Sequence, residues 1–197
     1  MTCPIVLASG SPRRRELLGR LGLPFTVDVP HVDEEAIAQG LVPMQAAARL
    51  AEEKAAAIAA AHPKAVVIGC DTLVVRDGVS LGKPPDQDHA VEMILSLGGR
   101  SHEVLTGVAL VPGEGCAVLR EPRAAVEVTR VSFRPLTRAQ AQAYVARGES
   151  LDKAGAYGIQ GFGSLLVPSI EGCYFNVVGL PLHRLGIMLE GLGLKLL

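Results

Sequence analysis

The stretch AVVIGCDTLVV, residues 65–75, leaves its backbone little choice. β-Branched side chains crowd it and it stops at RDG, a turn signal, so it reads as a buried strand with one acid, Asp71, inside it. A lone buried carboxylate is costly unless it is paired, hydrogen-bonded or metal-bound.

Helical and extended patterns fill the rest of the chain. PIVLAS, residues 4–9, is a short apolar strand that leads into LASGSPRRRELL. There Ser11 is a candidate N-cap and Pro12 suits the first helical position, while Leu17, Leu18 and Leu21 form an apolar stripe that Gly22 ends. PMQAAARLAEEKAAAIAAAH, residues 43–62, is an alanine-rich helix whose stripe runs through Ala47, Leu50 and Ile58, with Lys54 on it. QDHAVEMILSLGG is a helix with Ala90, Val91, Ile94 and Leu95 inward, and TRAQAQAYVARG opens with Thr137 and Gln140 in capping-box spacing. HEVLTGVALV and RAAVEVTRVSF read as longer strands. SLLVPSI and CYFNVV are predicted to be two strands joined as a hairpin through EG, before a last helix near Pro181. The DEE patch at Asp33 to Glu35 and LGKPPD are loops, and four glycines from Gly155 to Gly163 mark a loop that needs unusual backbone angles or close ligand approach. No internal repeat or linker interrupts these elements. The expected fold is therefore one α/β domain over residues 1–197, a mixed β-sheet with flanking helices and two lobes.

Composition narrows the function classes. A formal charge of −1 over 197 residues argues against a nucleic-acid binder, so any basic site must be local. The four cysteines form no CxxC pair, which suggests neither a zinc site nor a disulfide framework and fits a reducing cytoplasm. The amino terminus lacks signal-peptide character and no apolar run approaches the ~18 residues of a membrane span. A cytoplasmic protein with no membrane partner is expected.

Three arginines, Arg13 to Arg15, stand in the first turn of a helix, where the macrodipole makes each exposed cation unfavourable by roughly 0.3–1 kcal/mol. Their heads can simply be solvated. A strand, a small-residue loop SGS and a helix N-terminus nevertheless form a ready anion site, because free backbone N–H groups point outward and guanidinium forks grip phosphate oxygens. Bound phosphate would reverse the unfavourable sign. Lys54 and Lys83 are ordinary taken singly; with Arg13 and Arg14 they make a cationic cradle. If Glu34 approaches Asp71, two carboxylates beside a phosphate site suit Mg²⁺. The five histidines lack ligand spacing, and neither a GxSxG elbow nor a Walker P-loop is present.

These residues resemble the Maf family of nucleoside triphosphate pyrophosphatases, once described as septum formation inhibitors. LASGSPRRRELL, VDEE, LAEEKA, GCDTLVV, LGKP, SHEVLTGVAL, YVARGESLDKAGAYGIQGFG and VVGLPL occur in the family's order and span nearly the whole chain. Cys70, where members often carry alanine, and Arg15, at a variable position, are the departures. The resemblance implies a fold similar to inosine triphosphate pyrophosphatases, with two lobes around a cleft, and hydrolysis between the α and β phosphates. It implies Asp71, Glu34, Lys54 and Lys83 as catalytic residues, Ser9, Arg13, Arg14, Thr72 and Gln160 as substrate-binding residues, and Glu34 and Asp71 as ligands of a divalent metal, Mg²⁺ or Mn²⁺. It also implies a homodimer. AGAYGIQG looks like the branch acting on dTTP and UTP, with modified pyrimidine nucleotides as further candidates, and Arg13, Thr72 and Gln160 match the positions tied to that specificity. The amide of Gln160 can accept from the N3–H of uracil or thymine and donate to a carbonyl beside it. A rival from another class is a nucleotide-binding regulator of cell division with little turnover; both need the arginines, and only the enzyme needs Asp71.

Overall fold

The computed structural model describes residues 3–197. Strand β1 (Ile5–Ala8) lies between β2 (Thr26–Asp28) and β3 (Val66–Arg76) and is parallel to both, with Val6 opposite Thr26 on one side and Val67 on the other. The sheet has seven strands in the order β2-β1-β3-β5-β6-β7, with β5 at Ser101–Pro112, β6 at Arg123–Ser132 and β7 at Ser169–Glu171. Off this path, β4 (Val79–Leu81) pairs antiparallel with β3, and β7 is antiparallel to β6. The α/β mixed-sheet expectation therefore holds. Among the described residues no helix is long and apolar enough to cross a membrane.

The chain divides into two compact units. The first comprises the residues up to Asp71, Thr106–Glu127 and Gly179–Leu197, and the second comprises Thr72–Leu105 and Val128–Val178. Helices α1 (Pro12–Gly19), α2 (Glu34–Ala38), α3 (Pro43–Ala59) and α7 (Leu182–Glu190) belong to the first. Its core packs Ala55, Ile58 and Ala59 of α3 against Val6, Ala8, Val67 and Val111. Helix α3 seats on two glycines. A Cβ at Gly69 would lie 1.9 Å from the carbonyl oxygen of Ala51, and one at Gly107 would lie 2.0 Å from that of Ala47. Only the absence of those side chains lets an alanine-rich face lie so close to the strands, which brings Lys54 of that face over β3.

The second unit holds α4 (Gln87–Leu97), α5 (Arg138–Val145) and α6 (Tyr174–Val178). Its core joins Ala90, Val91, Ile94 and Leu97 of α4 to Val104, Val131, Tyr144 and Tyr157. The capping box on α5 forms as the sequence predicts, with Thr137 accepting from the Gln140 N–H and Gln140 accepting from the Thr137 N–H. His102, Phe133 and Tyr157 meet edge to face at centroid separations of 4.7–5.3 Å, and His102 Nε2 is 2.7 Å from Tyr157 Oη. Burial pushes the His102 pKa down to about 4 and pushes that of Tyr157 up.

Two local expectations are corrected and a third is borne out. CYFNVV is not a strand: Tyr174–Val178 form α6, so the hairpin through EG does not exist. Its aromatic and β-branched residues favour extended chain, yet Asn176 is fully buried and its Nδ2 donates to the Val104 carbonyl (2.9 Å) and to Thr129 Oγ1 (3.0 Å), which holds the segment in a helical turn. The DEE patch is not a loop. Asp33 caps α2 by accepting from the Ala36 N–H at 3.0 Å, and Glu34 and Glu35 fill the first turn, where the macrodipole favours acids. RDG forms the turn that the sequence signals: Asp77 and Gly78 have φ of 51° and 79°, so the chain reverses between the paired residues Arg76 and Val79 and continues as β4.

Candidate active site

In the first unit the start of α1 is built as the sequence suggests. Ser11 Oγ accepts from the Arg14 N–H at 3.5 Å and Pro12 takes the first helical position. Ser9 is buried, and its hydroxyl oxygen accepts from the Ser11 N–H at 3.2 Å and from Arg14 at 3.5 Å. Arg13 and Arg14 are half-buried, whereas Arg15 is exposed. A groove of about 530 Å³ opens beside this helix start, lined in part by Ser9, Gly10, Ser11, Arg15 and Val29.

A carbonyl that sequence reasoning missed orients Arg14. Arg14 Nε donates to the Gly179 oxygen at 2.9 Å, and the Cys70 thiol donates to the same atom at 3.2 Å. Burial pushes the Cys70 pKa up, which keeps the sulfur protonated as a donor. Gly179 has φ of 125°, a backbone region L-residues rarely adopt, so the glycine of VVGLPL was its signal in the sequence.

Lys54, Asp71 and Glu34 meet as one cluster within this unit. The Lys54 ammonium pairs with Asp71 Oδ1 and lies 2.7 Å from Glu34 Oε1. Lys54 and Asp71 are buried, while 56% of the Glu34 side chain is accessible, so the buried pair reaches solvent on the side of α2. The acid inside the apolar strand is thus satisfied by a lysine that the two glycines allow to come close. Both carboxylates touch one cationic nitrogen, so they are within reach of a common positive charge. Among the described residues no group of three or more His, Cys, Asp or Glu side chains is placed to hold a metal ion. Two carboxylates with oxygen donors nevertheless fit Mg²⁺, which usually takes one or two protein carboxylates and completes its shell with water and substrate phosphates.

The second unit carries Thr72, Lys83 and Gln160. Thr72 follows Asp71 on β3, and Lys83 is exposed on the loop after β4. The Gly155 N–H donates to the Gly82 carbonyl at 3.0 Å, and a Cβ at Gly155, whose φ is 69°, would lie 2.8 Å from Val74 Cγ1. The glycine-rich loop is therefore laid directly on β3 and on the Lys83 loop. Gln160 is half-buried and precedes a short 3-10 turn, Gly161–Leu165.

Residues 4–192 match the family model described as Maf-like protein. A protein of Symbiobacterium thermophilum named dTTP/UTP pyrophosphatase is 53% identical over 189 residues, covering 96% of this chain and 94% of that protein. One of the same name from Moorella thermoacetica is 52% identical over 190 residues, covering 96% and 95%. A solved nucleoside-triphosphatase, a dITP/XTP pyrophosphatase from Mycobacterium abscessus, is 16% identical over 66% of this chain and 72% of that one, with a TM-score of 0.41.

Proposed function

This chain belongs to the Maf-like protein family, and from that premise we propose that it is a nucleoside triphosphate pyrophosphatase that hydrolyses dTTP and UTP to the nucleoside monophosphate and pyrophosphate. The observation that carries this reading is the cluster of Asp71 with Lys54 and Glu34, two carboxylates and a cation together in the unit that also holds the candidate anion site at the start of α1.

In this mechanism a water attacks the α-phosphorus in line with the bridging oxygen. Asp71 orients that water and takes its proton; the bond from the α-phosphorus to the bridging oxygen breaks, and pyrophosphate leaves with the electron pair. Ser9, Arg13, Arg14 and the N–H groups at the start of α1 bind the phosphates, and Lys54 offsets their charge. We assign Glu34 and Asp71 to hold a divalent cation, Mg²⁺ or Mn²⁺, which supplies Lewis-acid withdrawal of charge from phosphate oxygens when bound. Lys83 is a further phosphate ligand, and Thr72 and Gln160 read the base. The working form is a cytoplasmic homodimer.

A pyrophosphate-release screen across nucleoside triphosphates, with Mg²⁺ and Mn²⁺ and with or without chelator, tests this. Turnover of dTTP and UTP well above GTP and ATP, lost with chelator, is expected. Preference for GTP or a 7-methylated purine would overturn the substrate assignment, and no pyrophosphate from any nucleotide would favour the rival reading as a nucleotide-binding regulator of cell division.

A further inference from the structure

Selectivity through an amide depends on which way the amide points, and Gln160 sits on a stretch with glycine at 158, 161 and 163. Glycines widen the range of backbone conformations, so something other than the chain's own stiffness must fix this segment. Two side chains from outside it do so. On one side of Gln160, the Gly158 N–H donates to Tyr144 Oη at 3.2 Å. Tyr144 is buried in the last turn of α5, and its burial keeps the phenol protonated. On the other side, Glu149 Oε1 accepts from the Phe162 N–H at 3.4 Å. A Cβ at Gly161 would lie 2.6 Å from that same oxygen, and the φ of Gly161 is 59°. Glu149 is itself held, because Lys153 Nζ donates to its carbonyl at 2.6 Å. The Arg147 guanidinium lies 4.4 Å from the centre of the Phe162 ring.

The segment also closes on itself. A Cβ at Gly163 would lie 1.7 Å from the Gly158 carbonyl oxygen and 3.3 Å from Tyr144 Oη, so residues 158 and 163 lie against each other with Gln160 between them. Phe162 is 45% exposed, so the Arg147 and Glu149 contacts secure a surface segment and not the core.

We propose that Tyr144 and Glu149 are specificity-positioning residues that act through Gln160, fixing its backbone so that its amide favours a pyrimidine with two ring carbonyls flanking an N–H over one with an amino group. This rests on the assignment of Gln160 to the base in the proposed function. Loss of either anchor lets the backbone that carries Gln160 shift, so its amide no longer meets the base in one place and discrimination against the 4-amino pyrimidine of CTP falls.

The test measures kcat and KM for dTTP, UTP and CTP on the parent, Tyr144→Phe, Glu149→Ala, Glu149→Gln, Gln160→Ala and the Glu149→Ala/Gln160→Ala pair, with thermal melts to confirm folding. Tyr144→Phe and Glu149→Ala are each expected to lower the kcat/KM ratio of dTTP to CTP by roughly tenfold, through KM more than kcat. Glu149→Gln retains an acceptor oxygen and is expected to restore the ratio. In the Gln160→Ala background Glu149→Ala is expected to lower it no further, since both act on one contact. Equal losses for dTTP and CTP, or additive effects in the double variant, would overturn the positioning role while leaving Gln160 in place. An unchanged ratio in Gln160→Ala would instead remove Gln160 from the base site and the proposal with it. Should Tyr144→Phe fail to fold, the Glu149 pair decides alone.

Discussion

The first unit sinks a lysine and an aspartate below the surface as an ion pair, whereas the second sinks a histidine, a tyrosine and an asparagine in hydrogen-bonded networks. The contrast follows from what each kind of burial can do. Charges held away from water keep strong fields, which suits phosphate and a water to be activated, but a buried charge survives only with its partner in place. Hydrogen-bonded rings and amides exert weaker fields and tolerate close packing, so they set the shape of a loop. Hence the proposed chemistry falls to Asp71 and Lys54, and the proposed base selectivity to a segment propped by Tyr144.

The largest expected effect is on turnover. Asp71→Asn keeps the shape and removes the proposed proton acceptor, and is expected to lower kcat by about 10²–10⁴-fold while leaving dTTP binding nearly intact. Near-parent turnover would place the chemistry elsewhere and erase the contrast between the units. A second substitution targets stability. Lys54→Met leaves the Asp71 carboxylate buried without its ammonium partner and is expected to destabilise by about 3–5 kcal/mol in urea denaturation. Adding Asp71→Asn to it should recover much of that loss, because the uncompensated charge goes; no recovery would show that packing, not charge, holds α3 on the strands.

The second unit should respond to acid by its own route. The His102 pKa is depressed in the fold to about 4 from an unfolded value of 6.5, so the unfolded chain binds the extra proton first. The stability His102 contributes is therefore complete above pH 6.5 and declines as pH falls towards 4, by up to roughly 3 kcal/mol. Thermal melts between those limits should show a slope that His102→Gln, which cannot titrate, flattens. An identical slope in the variant would move the acid sensitivity to other groups.

Much of the site was legible because its signals are local. Ser11, Pro12 and the arginines announce a capped helix start beside a strand, and Asp71 interrupts a run that has no other acid. Asp33 followed by Glu34 and Glu35 is an equally local signal, because an N-cap with acids in the first turn marks a helix start. Asp77-Gly78 likewise carried a hairpin signal. CYFNVV differs in kind: its propensity points to a strand, and the network that overrides it comes from Val104 and Thr129, distant in sequence.

Cap chemistry, apolar periodicity and turn glycines act over a few residues, so the chain alone sets most of its helices and strands and the α/β class. Which polar groups meet was decided by packing. Lys54 reaches Asp71 because Gly69 and Gly107 let α3 come close, and Arg14 is aimed by a carbonyl 165 positions away at Gly179. Such contacts depend on Ångström-scale approach between segments whose separation along the chain carries no distance information, and only the folded backbone supplies it.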